Sequence, residues 1–203
     1  MTGVSAILLA AGRSRRMGAF KPLLPFGKQT VIESAIANLR AASVSEIVVV
    51  VGWRGDELEK KLTAPDVFFA INSNPDSPMA TSIRTGMYFV GEASAAVLIT
   101  PADLPAIPAG TIKSIIEAWQ SGALLVQPEY DGSGGHPVLV ARRYFKELLH
   151  LDSESGLRGF FAGHHTDTLR LVVDSPFIAR DLDTWEDYVS LHQDVFGEPP
   201  PPG

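Results

Sequence analysis

The sequence contains no cysteine, and it has no long apolar run. The absence of cysteine excludes disulfides, thiolate zinc sites and a cysteine nucleophile, and it is compatible with a reducing compartment. No apolar run reaches the roughly 18 residues that a membrane-spanning helix requires. The amino-terminal apolar stretch, residues 4–11, precedes the first charges, which is the reverse order of a secretory signal. These features predict a cytoplasmic protein without a membrane partner.

The length and apolar content suit one domain. The chain has 203 residues, of which 45% are hydrophobic, so it could fill one α/β core, whereas two full domains would be cramped. We therefore predict a single domain over residues 1–195, without internal repeats. The last residues, 196–203, end in four consecutive prolines and a glycine. Proline has no backbone N–H to donate, so we predict a flexible tail there.

Acidic residues are missing from the first 32 positions, which hold five basic side chains: Arg13, Arg15, Arg16, Lys21 and Lys28. The rest of the chain has 12 basic and 23 acidic residues, and the whole chain has a formal net charge of −6. Positive charge confined to one glycine-containing loop of an acidic protein predicts a small polyanionic ligand. A nucleic-acid surface would need a broader basic face, so we expect no nucleic-acid partner.

Short aliphatic runs alternate with helical patterns along the chain. The predicted strands, each expected to be buried on both faces, are 4–10, 47–51, 67–71, 96–100 and 124–127. The predicted helices are 30–42, a segment starting at Pro108, 57–62, 81–90, 142–149, 156–162 and 184–192. This alternation implies crossover connections and a largely parallel sheet covered on both faces. Such sheets bind ligands outside the carboxyl ends of their strands.

The alternation of strand and helix patterns ends after Gln127. The next apolar run, residues 137–141, follows a turn-rich stretch too closely to leave room for a crossover helix. We therefore predict that this part of the chain adds strands of the opposite sense.

The segment after the first predicted strand excludes two common phosphate-binding loops. A Walker A loop would need glycine and lysine where this chain has Met17 and Gly18. A dinucleotide fingerprint would need glycines where the chain has Ser14 and Met17.

The chain instead has two glycines, Gly12 and Gly18, with five residues between them. Lys21 follows Gly18 after two further residues. This spacing lets backbone N–H groups face an anion while Arg16 and Lys21 close on it. The plainer alternative is a basic surface turn. The position directly after the first strand favours a phosphate-binding loop over that alternative.

The stretch LAAGRSRRMGAFK, residues 9–21, resembles the signature of the MobA-like nucleotidyltransferases, which are the molybdenum cofactor cytidylyl- and guanylyltransferases. The resemblance covers roughly residues 4–192 through five separated motifs. It implies a three-layer α/β/α Rossmann-like nucleotidyltransferase fold with a mostly parallel mixed sheet. It implies Arg16 and Lys21 as catalytic residues. It also implies a nucleotide-binding loop formed by Leu9, Ala10, Ala11, Gly12, Arg13, Ser14, Met17 and Gly18.

Two carboxylates are candidates for a metal site. Asp103 lies in TPADLP after the fourth predicted strand, where an aspartate can simply cap a turn. The resemblance implies that Asp103 is a catalytic residue and a Mg²⁺ ligand, and Mg²⁺ uses one or two protein carboxylates. Asp183 lies in DLDTWEDY, which resembles the family segment D-x-D-T-P-E-D-Y with Trp185 in place of proline. Asp183 is either a second metal ligand or, like Thr184, a candidate N-cap of the last helix, and the two roles are compatible.

The segment NPDSPMATSIRTG, residues 74–86, resembles the base-binding part of the family. Ser82 and Gly86 match best, and the resemblance places the Ser82 region at a pyrimidine edge. A helix cap is the plainer role for a lone serine. Pro78 stands where relatives commonly have glycine, and a Gly-Pro-Leu element of the guanylyl branch is absent. Pro78 alters the expected path of the loop, whereas the absence of the Gly-Pro-Leu element favours CTP over GTP.

Two further motifs resemble the acceptor side of the family. The stretch YDGSGGHPVLV, residues 130–140, contains Gly134 and Gly135, which would permit close backbone approach to a ligand, and His136, which would sit at the mouth of the site. The alternative is a glycine-rich turn with an exposed histidine. Arg158 lies in a partial G-D-x-G-x-R element and is an expected contact for the acceptor phosphate. His164 and His165 are expected to mark a helix end, without a catalytic role.

The resemblance implies an Mg²⁺-dependent nucleotidyltransferase that moves CMP from CTP onto the terminal phosphate of molybdopterin and releases pyrophosphate. A molybdoenzyme is a further partner that the resemblance suggests. Three alternatives stay open: guanylyl transfer from GTP, nucleotidyl transfer to a sugar phosphate on the same fold, and a non-catalytic carrier of the molybdenum cofactor.

Overall fold

The computed structural model describes residues 3–13, 16–74 and 76–201. Its strands are β1 (Gly3–Ala10), β2 (Pro25–Phe26), β3 (Gln29–Thr30), β4 (Glu46–Val51), β5 (Val67–Ile71), β6 (Ser94–Pro101), β7 (Leu125–Tyr130), β8 (Ser133–Gly134), β9 (Val138–Ala141) and β10 (Thr168–Val172). Its α-helices are α1 (Val31–Ala41), α2 (Gly55–Lys61), α3 (Met79–Met87), α4 (Ala109–Gln120), α5 (Phe145–Leu149), α6 (Gly156–Gly163) and α7 (Trp185–Phe196). Short 3₁₀ turns cover Lys21–Leu23, Arg142–Tyr144 and Pro176–Ala179.

Eight strands form one mixed sheet in the order β10-β7-β9-β6-β1-β4-β5, with β8 paired to β7. Strand β1 is parallel to β4 and β6, β4 is parallel to β5, and β10 is parallel to β7. Strand β9 runs antiparallel to β6 and β7, which confirms the predicted change of sense after Gln127. Strands β2 and β3 form a separate two-stranded hairpin. The mostly parallel mixed sheet is therefore confirmed.

The two edge strands differ from the sequence predictions. Strand β5 was predicted to be buried on both faces, and this is wrong: Phe68 and Ile71 are 46% and 65% exposed. The physical reason is that β5 is the last strand of the sheet and has a paired neighbour on one side only. At the opposite edge, the apolar pattern does not predict β10, because Arg170 interrupts its apolar run and most of its side chains are partly or fully exposed.

Helices cover both faces of the sheet, as predicted. Helices α1, α2 and α4 pack on one face through a core that includes Leu8, Ile36 and Ile115. Helices α3, α5 and α6 pack on the other face, where Ile7 and Ile83 are buried. Neighbouring residues of β1 thus point to opposite faces, as the pleat of a strand requires. The fold is a three-layer α/β/α arrangement.

The helix signals in the sequence correspond to real helix starts. Thr30 caps α1, and its backbone N–H donates to Glu33 Oε2 at 2.8 Å in the predicted capping box. Pro108 is the N-cap residue of α4. Thr184 caps α7, in a second capping box with Asp187. Because Thr184 is the cap, the carboxylate of Asp183 is left for other contacts.

A third apolar cluster joins the two ends of the chain. It consists of Met17, Phe26, Val31, Leu182, Tyr188 and Leu191. Helix α7 therefore packs against the loop after β1 and the β2–β3 hairpin, which brings the carboxyl-terminal acidic segment to the predicted phosphate loop. Within the described ranges, no helix is both long and apolar enough to cross a membrane.

Candidate functional site

A cavity of about 270 Å³ lies beyond the carboxyl ends of β1 and β6. It is lined by Leu9, Ala10, Ala11, Gly12, Lys21, Pro22, Ser77, Met79, Ser82, Pro101, Ala102 and Asp103. The two strands continue into the cavity wall side by side, since the backbone N–H of Ala102 donates to the Leu9 carbonyl at 2.9 Å. A site at the carboxyl ends of parallel strands is where this sheet type binds ligands.

The loop after β1 contributes backbone to this cavity. A Cβ atom added at Gly12 would meet no atom within 4 Å, so the chain is open to the cavity at this point. Gly18 has a φ of 69°, in the left-handed region that favours glycine. Arg13 pairs with Asp76 at 3.3 Å. The predicted site residue Ser14, together with Arg15, lies outside the described residues.

Met17, predicted to bind nucleotide, does not line the cavity. Its side chain is 4% exposed and packs in the third apolar cluster. Its backbone carbonyl accepts a hydrogen bond from Trp185 Nε1 at 3.0 Å. Met17 therefore fixes the loop against α7, and the tryptophan that replaces the family's proline makes this contact.

Lys21 is the charged centre of the site. The residue is only 7% exposed, although it carries an ammonium group. Its Nζ atom donates to Asp183 Oδ1 at 2.8 Å and to Asp103 Oδ2 at 3.3 Å. Arg16 also donates to the Asp183 carboxylate. The structure therefore brings together Arg16, Lys21, Asp103 and Asp183, which the sequence places in three distant segments.

The charges of this group shift the pKa values of two aspartates. Hydrogen bonding from Lys21, reinforced by its charge and that of Arg16, lowers the pKa of Asp183. Partial desolvation of the carboxyl, followed by the negative charges of Asp183 and Asp103, raises the pKa of Asp181, although that residue is exposed as a whole. Asp181 therefore faces the same cluster. It was not predicted as a site residue, and its signal was the two-residue spacing to Asp183.

The carboxylates suit a hard divalent cation. Asp103 and Asp183 offer oxygen ligands, and their side chains are 27% and 38% exposed. Among the described residues, no three His, Asp or Glu side chains are arranged as a complete metal cage. Mg²⁺ commonly binds through one or two carboxylates and completes its coordination with water and substrate phosphates. Asp103 and Asp183 fit that pattern.

The two residues predicted to bind the base, Ser82 and Gly86, have different roles: one lines the cavity and the other packs against the sheet. Ser82 is 6% exposed and lines the cavity, together with Ser77. Ser82 is not a helix cap, because Pro78 occupies the N-cap position of α3. Gly86 does not line the cavity: a Cβ atom there would lie 2.8 Å from Ile7 and 2.9 Å from Val50. Gly86 thus lets α3 pack closely on the sheet.

A second cavity, of about 570 Å³, contains both residues predicted to bind the acceptor. It is lined by Gln127, Gly134, Gly135, His136, Val138, Leu157, Arg158, Phe161, Ala162, His165, Thr168 and Arg170. Close approach at Gly135 is to protein, since a Cβ atom there would lie 2.5 Å from the Ile178 carbonyl oxygen. His164 does not line this cavity. Its Nε2 atom lies 2.7 Å from Glu147 Oε2, within hydrogen-bond distance.

His136 lines the second cavity, and the negative charge of Asp103 in the wall of the first cavity acts on its ring. It is half-buried, unlike the exposed histidine of the alternative reading, and desolvation lowers its pKa. Its Nδ1 atom lies 3.2 Å from the Ile99 carbonyl oxygen, so in the neutral ring Nδ1–H donates there. Nε2 then carries the lone pair.

Comparison with known proteins adds independent information. Residues 6–169 match the family model described as MobA-like NTP transferase domain. The molybdenum cofactor cytidylyltransferase of Escherichia coli K12 is 28% identical over 196 residues, which covers 95% of this chain and 97% of that protein.

Solved structures share the fold. The crystal structure of Rv0371c from Mycobacterium tuberculosis H37Rv superposes with a TM-score of 0.84 at 24% identity and covers 95% of this chain and 98% of that one. The complex of Rv0371C with manganese superposes with a TM-score of 0.80 at 22% identity, with the same coverage of 95% and 98%.

Proposed function

The chain belongs to the MobA-like NTP transferase family, and from that premise we propose that it transfers CMP from CTP to the terminal phosphate of molybdopterin, releasing pyrophosphate. Its similarity to a molybdenum cofactor cytidylyltransferase along nearly its whole length supports the choice of nucleotide and acceptor. The chain is thus a nucleotidyltransferase, and the two substrates are the proposal.

One observation carries the proposal: the two cavities are neighbours along β6. His136, in the wall of the second cavity, lies 3.2 Å from the Ile99 carbonyl oxygen, and Pro101 of the same strand lines the first cavity. The smaller cavity has the loop after β1, Lys21 and Asp103 in its wall, as a nucleoside triphosphate would need. The larger has His136 and Arg158, as an anionic acceptor would need. Transfer between two bound substrates requires adjoining sites of this kind, because the reacting atoms must approach to about 3–3.5 Å.

The reaction needs positioning and charge stabilisation more than proton transfer. An oxygen of the acceptor phosphate attacks the α-phosphorus of CTP, and the bond from that phosphorus to the bridging oxygen of the β-phosphate breaks. The acceptor phosphate is already ionised near neutral pH, since the second pKa of a phosphomonoester is about 6. Lys21 and Arg16 stabilise the negative charge on the α-phosphate and the leaving pyrophosphate. Backbone N–H groups of the loop after β1 hold the triphosphate.

Asp103 and Asp183 would hold Mg²⁺, which would supply positive charge to offset that of the phosphates. The manganese complex of a protein with this fold is compatible with a divalent cation here. The Asp183 carboxylate accepts hydrogen bonds from both Arg16 and Lys21. A bound triphosphate would take over these cations and leave the Asp183 carboxylate to the metal.

The test is a pyrophosphate-release assay with purified protein. CTP and GTP are each supplied with and without molybdopterin, and with and without Mg²⁺. We expect release with CTP, molybdopterin and Mg²⁺ together, and little release when any one of them is omitted. Release with a sugar phosphate in place of molybdopterin would replace the proposed acceptor, and release with GTP at the same rate would remove the proposed base preference.

A matched variant distinguishes an enzyme from a non-catalytic carrier of the cofactor. Asp103→Asn keeps the shape of the side chain but removes its charge. We expect it to lose most of the Mg²⁺-dependent turnover while it still binds molybdopterin. If the wild-type protein binds molybdopterin but releases no pyrophosphate under any of these conditions, it is a carrier and the proposal is wrong.

A further inference from the structure

We propose that Asn72 is a positioning residue that sets two serine hydroxyls as hydrogen-bond donors toward the nucleobase, and thereby selects cytosine over uracil. This inference rests on the proposed function, because it takes the base to lie against Ser77 and Ser82.

Asn72 lies directly after the edge strand β5 and is 5% exposed. Its backbone N–H donates to the Val51 carbonyl at 2.8 Å, which continues the pairing of β5 with β4. Its side chain does not line the cavity, but the two serines that it contacts do. Asn72 therefore lies behind the cavity wall and would act on a ligand only through these serines.

The orientation of the Asn72 amide follows from its partners. The backbone N–H of Asn74 lies 3.0 Å from Oδ1, and a backbone N–H can only donate, so the atom that faces it must be the amide oxygen. The amide nitrogen then faces Ser77 Oγ at 3.0 Å and Ser82 Oγ at 2.9 Å. An amide nitrogen carries two hydrogens and accepts none, so each serine oxygen accepts one bond from Asn72.

The hydroxyl hydrogens are left for the ligand. A serine hydroxyl has one hydrogen, and Asn72 cannot accept it through its nitrogen. Within the described residues, neither the Ser77 nor the Ser82 hydroxyl donates to a protein acceptor. Ser82 is 6% exposed, so its hydrogen would lack a partner if the ligand edge beside it offered only donors. The pair of serines therefore favours a base edge with two acceptors.

Cytosine presents such an edge, because its O2 and N3 atoms both accept hydrogen bonds. Uracil presents the O2 acceptor but a donor at N3. A wall of two donors thus separates CTP from UTP. An unsatisfied buried donor weakens binding by about tenfold or more, so we expect CTP to bind at least about tenfold more tightly than UTP.

The reversing substitution is Asn72→Asp. A carboxylate can accept from Asn74, as the amide does, but it can only accept from the two serines. Both hydroxyl hydrogens then turn toward residue 72, and the serines offer lone pairs to the base. We expect the ratio of CTP to UTP affinity, measured by isothermal titration calorimetry with Mg²⁺ and no acceptor, to fall by about tenfold or more.

The affinity ratio removes the effect of the added charge on the triphosphate, because CTP and UTP carry the same triphosphate. Ser73→Asp is the matched control, since it adds the same charge on the neighbouring exposed residue without a contact to either serine. We expect its CTP to UTP ratio to equal that of the wild-type protein. Circular dichroism and thermal unfolding show whether each variant is folded.

If Asn72→Asp does not fold, Ser77→Ala combined with Ser82→Ala tests the same claim from the other side. Without the two hydroxyls, the CTP to UTP ratio should approach one. An unchanged ratio in either folded variant overturns the inference, as does wild-type protein that binds UTP as tightly as CTP. Absence of CMP transfer to molybdopterin by wild-type protein that prefers CTP would overturn the proposed function and leave this inference standing.

Discussion

Lys21 Nζ lies 2.8 Å from Asp183 Oδ1, although the two residues are 162 positions apart in the chain. The contact joins the predicted phosphate loop to the segment before α7. It also gives the ammonium group of a lysine that is 7% exposed two carboxylate partners, Asp183 and Asp103. The cations that we propose to bind the triphosphate are thus held in place by the carboxylates that we propose to bind the metal.

Lys21→Ala should lower turnover much more than stability. Loss of a positioned cation that stabilises developing phosphate charge is expected to cost about 10²–10³-fold in pyrophosphate release. The loss of unfolding free energy should stay below about 2 kcal/mol, since Asp103 and Asp183 remain open to solvent. Lys28→Ala, an exposed lysine outside the cavity, is the control. Unchanged pyrophosphate release by the Lys21 variant would refute its assignment.

Trp185→Phe should weaken nucleotide binding without unfolding the protein. Phenylalanine keeps the edge contact with Tyr188, where the ring centroids are 5.7 Å apart, but it loses the N–H that donates to Met17. The loop after β1 is then less fixed, and one lost hydrogen bond corresponds to roughly fivefold weaker CTP binding. Titration of CTP measures this effect. Trp119→Phe, on α4, should bind CTP as the wild-type protein does.

The pH dependence of stability should report on His136. Its pKa is lowered from the usual value of 6.5 in the folded protein, so below about pH 6.5 the unfolded chain binds a proton that the folded protein does not. Stability therefore falls as the pH is lowered, by at most about 1.4 kcal/mol per pH unit from this group. In His136→Gln this part of the decrease should disappear.

Urea unfolding at pH 7.5, 6 and 5 makes the comparison between these proteins. His150→Gln, an exposed histidine, should keep the wild-type pH dependence. Parallel curves for the wild-type and His136→Gln proteins would contradict the assigned shift.

Arg158→Gln should weaken the binding of the acceptor and leave the binding of CTP unchanged. Arg158 is exposed in the wall of the second cavity and has no protein partner within the described part of the chain, so its charge is available to an anion. Charge-assisted hydrogen bonds contribute about 1.5–3 kcal/mol, so the KM for molybdopterin should rise by at least about tenfold. The KM for CTP should stay the same.

Arg143→Gln provides the control for this prediction, because Arg143 is exposed and lies outside both cavities. A rise in the CTP KM that equals the rise in the molybdopterin KM would place Arg158 in the wrong cavity.

Local patterns were enough to predict most of the fold. Apolar runs predicted the five parallel-type strands, and the capping box of Thr30 and Glu33 predicted the start of α1. These signals succeed because strand burial and helix capping depend on neighbouring residues. The edges were harder: β10 was missed and the burial of β5 was overestimated, since which strand ends a sheet depends on packing between distant segments.

The site could be predicted only in part. The confinement of basic residues to one loop pointed to an anion, and motif resemblance selected Asp103, Ser82, His136 and Arg158. The roles of Met17 and Gly86 came out differently, because a residue inside a binding motif can equally serve the packing that shapes it. Asn72 gave no signal at all, since its contribution is the direction in which its amide points.

The order of charged and apolar residues along the chain by itself determined the fold class, and it predicted an anionic ligand at the carboxyl ends of the strands. Only the tertiary structure decided that Asp183 pairs with Lys21 while Thr184 caps the helix, and that His136 lines a second cavity beside β6. The physical reason is range: periodicity and charge density are properties of neighbouring residues. The hydrogen bonds of Lys21 instead join segments that are more than 80 positions apart, such as the one between Lys21 and Asp103.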